Sequence, residues 1–268
     1  MTGVLTTDHP AWTVTENSGR ARAVRTTSGD WVLTWDREGL RMACVNGTED
    51  VKPTVVSTDP AHLPDALPAA LKNGLEDLGP TQRLANPWLW DAISTAVLRQ
   101  VVRAGQARKL YRTWCQMYGT RIHSAHGELF IAPDPDRVLA LDDDQFQAVG
   151  AKFHSSALRA AAVHYSRHCD SWRLMDAGNL AAALTCIPRI GPWTASAAVA
   201  DYTGDFSIYP HDDLAVRTWA AHIAPDHDWP GKKDPAFRSM WTGWAGQDDH
   251  TALHTLTLST LSWGAHAQ

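Results

Sequence analysis

Hydrophobic residues change their spacing near residue 86, and the change predicts two kinds of structure. Between residues 10 and 57, apolar and polar positions alternate over short runs such as 31–35 and 40–44, and Ser-Gly or Asn-Gly pairs separate the runs. Alternation of this kind is typical of strands with one buried face. We therefore predict three to five strands in an antiparallel sheet in this part of the chain.

From Asn86 onward the spacing becomes helical. Apolar residues recur every four positions from Leu89 to Val101, as they do on the buried face of a helix. Between the two regions, residues 53–80 contain five prolines, which indicates a linker with one short helix at 69–77. The expected fold class is mainly α. It combines a small N-terminal β or αβ layer at 1–65 with an all-helical core at 66–268.

Composition narrows the class of protein. No 18-residue apolar run occurs, and the N-terminus lacks the layout of a signal peptide, so we expect a cytoplasmic protein without membrane contact. The four cysteines show no metal-ligand spacing, so we expect reduced thiols and no metal centre. The net charge is −5, yet residues 92–127 hold six Lys or Arg and no Asp or Glu. A basic segment in an acidic chain indicates binding to a phosphate backbone, and a solvated helix face is the alternative explanation.

One stretch, residues 184–217, concentrates the signals for a functional site. A helix over 179–186 ends before Pro188, because proline cannot continue a helix. A Gly-Pro turn follows, and Thr194 is the predicted N-cap of the next helix.

A short extended run at 206–209 leads from that helix to a pair of carboxylates, Asp212 and Asp213. The pair stands at the head of an apolar-periodic helix, where the helix dipole favours the charged form of an acid. We expect Asp212 to be the N-cap or a first-turn acid of this helix.

Residues 187–195, IPRIGPWTA, resemble the hairpin of the helix-hairpin-helix DNA glycosylases, the superfamily of endonuclease III and 3-methyladenine DNA glycosylase II. In that family the catalytic Asp follows the second helix, which places it on the 212–213 pair. The alkylbase branch has this Asp directly before a segment similar to 214–217, so Asp213 is the better match and Asp212 the alternative. The hairpin together with a correctly spaced Asp is a specific signal, whereas the hairpin alone also occurs in non-enzymatic DNA-binding proteins.

Two hairpin positions refine what the resemblance implies. Lyase-competent members have a Lys where this chain has Trp193, and that Lys forms a Schiff base with the sugar. The resemblance therefore implies a monofunctional glycosylase that uses water, with Trp193 in the pocket for the base. Arg189 replaces the first hairpin Gly of the family. Either the position has a positive φ that strains an arginine, or the loop bends differently and Arg189 reaches a phosphate.

The resemblance also implies contacts with double-stranded DNA. Segment 98–102 matches the family's wedge segment, so Gln100 would touch the opened duplex and Val101 would be the wedge, although a core position suits Val101 equally. Backbone N–H groups of 190–193, at a helix N-terminus, would meet a phosphate. The predicted DNA-binding residues are Gln100, Val101, Lys152, Arg189, Ile190, Gly191 and Thr194.

The implied reaction is hydrolysis of the bond between a damaged or modified base and its sugar, in base excision repair. A carboxylate stabilises the oxocarbenium-like sugar and orients water, and the flipped base needs a pocket. Ala197 and Thr257 stand where the alkylbase branch has further pocket aromatics, so the base is not identified. We expect a monomer without an iron–sulfur cluster. The resemblance implies sodium or potassium at the hairpin carbonyls.

Two other functions remain open at this point. The chain could be a helix-hairpin-helix DNA-binding protein that has lost catalysis, which the altered hairpin glycine and the acidic net charge favour. It could also be a related hydrolase of free nucleosides, which the acidic charge fits and the basic segment opposes.

Overall fold

The structure is a computed structural model, and it describes residues 4–231, 234–246 and 249–266. In chain order, the strands are β1 (Val4–Leu5), β2 (Thr13–Val14), β3 (Arg20–Arg25), β4 (Gly29–Asp36), β5 (Gly39–Gly47), β6 (Val55–Thr58), β7 (Thr81–Leu84), β8 (Thr120–Ser124) and β9 (Gly127–Ile131). The helices are α1 (Ala69–Leu78), α2 (Leu89–Leu98), α3 (Ala104–Tyr118), α4 (Pro135–Ala140), α5 (Asp143–Ala148), α6 (Ser155–Trp172), α7 (Ala177–Thr185), α8 (Pro192–Thr203), α9 (Leu214–Ile223), α10 (Ala236–Ala245) and α11 (His250–His266).

The chain forms two compact units, and each unit combines separated parts of the sequence. The first unit contains residues 4–8, Val55–Leu84 and the described residues from Gly204 onward. The second contains His9–Thr54 and Ala85–Thr203. The predicted division at residue 65 stays a prediction.

In the second unit, β2, β3, β4 and β5 form an antiparallel sheet in sequential order. The prediction of three to five antiparallel strands is therefore confirmed. The hairpin of β8 and β9 packs on this sheet, and the two share one apolar cluster. The cluster contains Ala21, Ala23, Val32, Ile122, Leu129 and Ile131. Helix α2, which is buried along its whole length, packs on α6 and α8.

In the first unit, β7 pairs in parallel with β1 on one side and antiparallel with β6 on the other. Helix α11 packs on α1, α9 and α10. Gly264 is required on α11, because a Cβ there would lie 2.2 Å from Trp219 Nε1. Because Trp219 lies on α9, glycine at this position lets α9 and α11 pack closely.

The predicted fold class, mainly α with a small β layer, is confirmed, and two details were wrong. Residues 53–80 are not a linker, since they contain β6 as well as the predicted short helix, α1. The segment predicted to be all-helical contains β7, β8 and β9. The β8–β9 hairpin was missed because we interpreted its arginine as part of a basic helical segment. Within the described residues, no helix combines the length and the hydropathy of a membrane span.

Candidate nucleic-acid interface and carboxylate site

The hairpin between α7 and α8, in the second unit, is a tight turn around a strained arginine. Ile187 and Ile190 bury their side chains, and the Ile190 N–H donates to the Ile187 carbonyl at 3.0 Å. Arg189 between them has φ +68°. The structure thus favours the first of the two explanations: the position needs a left-handed residue. Arginine adopts that conformation at a cost of about 1–2 kcal/mol.

Gln100, just beyond the C-terminus of α2, holds the hairpin. Its side-chain amide donates to the Arg189 carbonyl at 3.1 Å and to Thr194 Oγ1 at 2.8 Å. Thr194 is not the N-cap that we predicted, because α8 already begins at Pro192 and Thr194 lies in its first turn. Proline suits the first helical position, where no N–H is needed. The structure therefore brings together three of the predicted residues, Gln100, Arg189 and Thr194.

Val101 is exposed and strained. Helix α2 ends at Leu98, so Val101 does not lie on the helix face that would have buried it. Its side chain is 89% exposed, and its φ is +62°. A positive φ is an outlier for a β-branched residue and costs on the order of 1–3 kcal/mol. An exposed side chain contributes nothing to the core, so the core interpretation of Val101 is wrong. The role as a wedge stays a prediction.

Phe153 is a second exposed apolar residue near this point, and we did not identify it from the sequence. Its side chain is 66% exposed and packs edge-on against His154. His154 Nε2 lies 3.2 Å from the Gln100 carbonyl, next to Val101 in the chain. The signal that could have revealed Phe153 is its place in a short turn between Gly150 and α6, outside any amphipathic pattern.

The other predicted DNA-binding residues and the predicted pocket residue, Trp193, lie outside the hydrogen bonds of Gln100. Lys152 is exposed, and its Nζ donates to Gln147 Oε1 at 3.0 Å. Gly191 is exposed, and the Ile190 N–H is already bonded within the hairpin, so the predicted phosphate contact rests on the N–H groups that follow Ile190. Trp193 is half-buried, with the Arg99 guanidinium 5.7 Å from the centroid of its ring.

The basic segment at 92–127 provides a smaller charged surface than its composition suggested. Arg112 donates through Nε to the Pro10 carbonyl at 2.9 Å and is half-buried. Arg121 pairs with Glu128 at 3.0 Å. Arg103, Arg108 and Lys109 are exposed on α3 or at its start. Three of the six positive charges, those of Arg99, Arg112 and Arg121, thus already have partners within the chain.

The second predicted element, the carboxylate pair, lies in the first unit at the head of α9. Asp213 is the N-cap of this helix, and its first turn contains no acid, so the prediction that Asp212 is the N-cap or a first-turn acid is wrong. Asp213 Oδ2 accepts hydrogen bonds from the Tyr209 hydroxyl at 3.1 Å and from the Ala215 N–H at 3.3 Å. Tyr209 is buried and stacks on Phe206. These contacts fix the orientation of a carboxylate that is itself only half-buried.

Asp212 has a different environment from its neighbour. Its Oδ1 accepts from Arg238 Nη2 at 2.9 Å, and its carbonyl accepts from Arg217 Nε at 2.9 Å. Although partial burial raises the pKa of the Asp212 carboxyl, the hydrogen bond and charge of Arg238 leave that pKa below its ordinary value. Burial, aided by the charge of Arg238, lowers the pKa of His211 to about 4. His211 is therefore neutral at pH 7, and Asp212 is already committed to an ion pair.

The two positions considered for further pocket aromatics are both buried. Ala197 lies inside the second unit. Thr257, in the first unit, accepts a hydrogen bond from Trp241 Nε1 at 3.1 Å and is fully buried. Neither residue is placed to line an open pocket.

The monovalent cation implied by the resemblance would bind at the hairpin carbonyls. The carbonyl of Ile187 accepts one hydrogen bond, and so does that of Arg189. A carbonyl has two lone pairs, so both oxygens fit a role as ligands of sodium or potassium. The cation stays a prediction. Among the described residues, no three His, Cys, Asp or Glu side chains converge as metal ligands.

The fold is that of the helix-hairpin-helix DNA glycosylases. The chain is similar to the 8-oxoguanine glycosylase/lyase of Clostridium acetobutylicum in complex with DNA, with a TM-score of 0.69 and 13% identity over 98% of this chain and 89% of that one. It is also similar to the 3-methyladenine DNA glycosylase of Archaeoglobus fulgidus, with a TM-score of 0.66 and 14% identity over 94% and 91% of the two chains. A third similar structure is a DNA-3-methyladenine glycosidase of Bacillus halodurans, with a TM-score of 0.51 and 19% identity over 79% and 92%.

No family model matches the sequence, and no curated protein matches it. The resemblance to the superfamily is confirmed at the level of the fold. Enzymes for oxidised and for alkylated bases are both among the similar structures, so the fold does not select a branch.

Proposed function

We propose that this protein is a monofunctional DNA glycosylase, which hydrolyses the bond between a damaged or modified base and deoxyribose in duplex DNA. The observation that supports it most directly is Asp213, a half-buried carboxylate held by two hydrogen-bond donors at a helix N-terminus. The sequence resemblance implies that the family's catalytic Asp falls at this position, after a helix-hairpin-helix element. The similar structures, which include DNA glycosylases bound to DNA, support the same class of reaction.

In this mechanism Asp213 acts on the sugar. Departure of the base leaves positive charge on the deoxyribose ring, and a nearby carboxylate stabilises that charge and orients the attacking water. The Tyr209 hydroxyl and the Ala215 N–H keep the carboxylate in one orientation, so little reorganisation is needed when the charge develops. Trp193 has no amine that could attack the sugar, so we expect an abasic product with an intact strand.

The duplex-opening role is assigned to the exposed apolar residues beside the hairpin. A base that leaves the stack creates a gap, and filling it with an apolar side chain recovers part of the lost stacking energy. Val101 and Phe153 are exposed and flank the contact between Gln100 and His154. The hairpin and the exposed charges of α3 would hold the phosphates.

The experiment is a base-release assay on duplexes that contain alkylated purines, hypoxanthine, uracil or oxidised guanine. Wild type is compared with Asp213→Asn and with Asp212→Asn, a matched control one residue away whose carboxylate is paired with Arg238. We expect release from at least one lesion by wild type and Asp212→Asn but not by Asp213→Asn, with strand breaks only after alkali. Binding without release by wild type would indicate a DNA-binding protein instead. Breaks without alkali would contradict the monofunctional assignment.

A further inference from the structure

The second unit contains a cavity of about 400 Å³. It lies at the N-terminal end of α2 and the C-terminal end of α8, whereas the hairpin lies at the other end of both helices. Pro87, Trp88 and Leu89 line it where α2 begins, whereas Gln100 meets the hairpin beyond the other end of α2. Tyr202 lines it in the last turn of α8, the helix that starts at the hairpin. Ten residues of helix span about 15 Å, so the cavity is separate from the proposed DNA-binding surface.

Three of the ten residues that line the cavity are aromatic. Trp88, Tyr165 and Tyr202 line it, and the Arg25 guanidinium lies 5.3 Å from the centroid of the Trp88 ring. That contact and the bidentate pair of Arg25 with Asp30 hold the arginine in place. Aromatic residues in the lining, and a volume in the range of small-molecule sites, suit a planar ring.

The cavity also has an excess of positive charge. Among the described residues that line it, two are arginines and none is acidic. Arg25 is neutralised by the buried Asp30, but the carboxylate that pairs with Arg173 among the described residues is Asp170, whose side chain is 91% exposed. An exposed ion pair of this kind contributes little, so an entering anion can replace Asp170. The Tyr165 hydroxyl interacts with Arg173 and adds a second polar group at the same point.

We propose that this cavity binds a small aromatic anion of the size of a nucleoside monophosphate, with its ring among Trp88, Tyr165 and Tyr202 and its anionic group on Arg173. Arginine matches a phosphate or carboxylate with two parallel N–H donors, which gives the anchor geometric selectivity. The site does not depend on the proposed glycosylase activity, because it shares no residue with the hairpin or with Asp213.

The test is calorimetric titration of the full chain with deoxyadenosine monophosphate, compared with deoxyadenosine, which lacks the anion, and ribose 5-phosphate, which lacks the ring. We expect saturable binding of the monophosphate and affinity at least about tenfold weaker for either fragment. Arg173→Leu should weaken binding at least about tenfold, whereas Arg167→Leu, an exposed arginine on α6 outside the cavity, should leave it unchanged.

A second variant tests the location without removing a charge. Thr27 is an exposed residue of the cavity lining, and Thr27→Trp should fill the cavity and abolish binding while the circular dichroism spectrum and melting temperature stay close to wild type. No saturable binding of the monophosphate at millimolar concentration would overturn the proposal. Binding that persists in both Arg173→Leu and Thr27→Trp would also overturn it, because the ligand would then occupy another site.

Discussion

Two carboxylates of this chain each accept a hydrogen bond from a buried tyrosine, yet their surroundings differ. Asp91, in the first turn of α2, receives the Tyr111 hydroxyl at 2.7 Å, and Arg22 and Asn86 contact its other oxygen. Burial raises the pKa of Asp91 against the opposing effects of these partners, and burial with the charge of Asp91 raises the pKa of Tyr111 well above its usual range. Asp91 is thus enclosed within the second unit.

Asp213 uses a similar contact in a more open setting. Tyr209 donates to it, the Ala215 N–H is the second donor, and the residue is half-buried at the head of a helix. A tyrosine–carboxylate hydrogen bond therefore does not itself mark a functional site. The difference lies in the access of solvent to the carboxylate, so Asp91 should contribute to stability and Asp213 to chemistry.

The largest effect should follow from breaking the enclosed network. Arg22 is 1% exposed and its Nη2 lies 3.4 Å from Asp91 Oδ2, so Arg22→Met removes the guanidinium that pairs with a buried carboxylate. We expect the free energy of unfolding in urea to fall by about 3–5 kcal/mol. Arg121→Met removes a half-exposed pair with Glu128 and should change it by less than about 1 kcal/mol. Equal losses in the two variants would contradict the structural role of the network.

The two tyrosines provide the most direct contrast. Tyr111→Phe should lower the free energy of unfolding by about 1–3 kcal/mol, because buried Asp91 loses a donor, with the rate of base release unchanged in the folded protein. Tyr209→Phe should slow single-turnover base release about tenfold, because the Asp213 carboxylate loses one of the groups that orient it. If Tyr209→Phe changed only stability, or Tyr111→Phe only the rate, the distinction between the two carboxylates would fail.

A substitution at Val101 tests whether its exposed side chain helps to open the duplex. Val101→Ala should slow base release from a fully paired duplex about tenfold, since a smaller side chain fills the gap less well. The effect should be smaller when the target base is mismatched, because less stacking is lost on flipping. Val14→Ala, at a valine that is 68% exposed on β2, is the matched control and should leave the rate unchanged. The same loss on paired and mismatched targets would argue against a wedge.

The smallest expected effect concerns Arg189. Glycine adopts φ +68° without the steric cost that arginine incurs, but it loses more backbone entropy on folding, so Arg189→Gly should raise the free energy of unfolding by up to about 1 kcal/mol. Arg103→Gly is the control, because Arg103 has an ordinary φ of −70° and should not gain stability. A loss of stability in Arg189→Gly would show that its side chain contributes more than the backbone strain costs.

The sequence predicted those parts of the molecule in which local chemistry decides the structure. Pro188 and Gly191 set the limits of the hairpin, and its spacing to the 212–213 pair led to the superfamily. The N-cap was misplaced by one residue because Asp212 and Asp213 are equally good caps, and the choice depends on Tyr209 and Arg238.

Other features depend on contacts that no local pattern encodes. The network around Asp91 joins side chains that are far apart in the chain: Arg22 is 69 residues from Asp91, and Asn86 also donates to Asp201, 115 residues away. The left-handed conformation of Val101 could not be predicted, because a β-branched residue disfavours it and only the surrounding structure imposes it. The β8–β9 hairpin was not predicted for a different reason. Its alternation of apolar and polar residues is short, and it overlaps the basic segment, which we interpreted as helical.

The assignment of Asp213 as the catalytic carboxylate is best tested by single-turnover base release, measured for Asp213→Asn in preformed complexes with duplex DNA that contains the best lesion. We expect release slower by about a thousandfold or more, since the amide cannot stabilise the positive sugar, and an affinity for the duplex within about threefold of wild type. Release by Asp213→Asn within about tenfold of the wild-type rate would contradict Asp213 as the catalytic carboxylate.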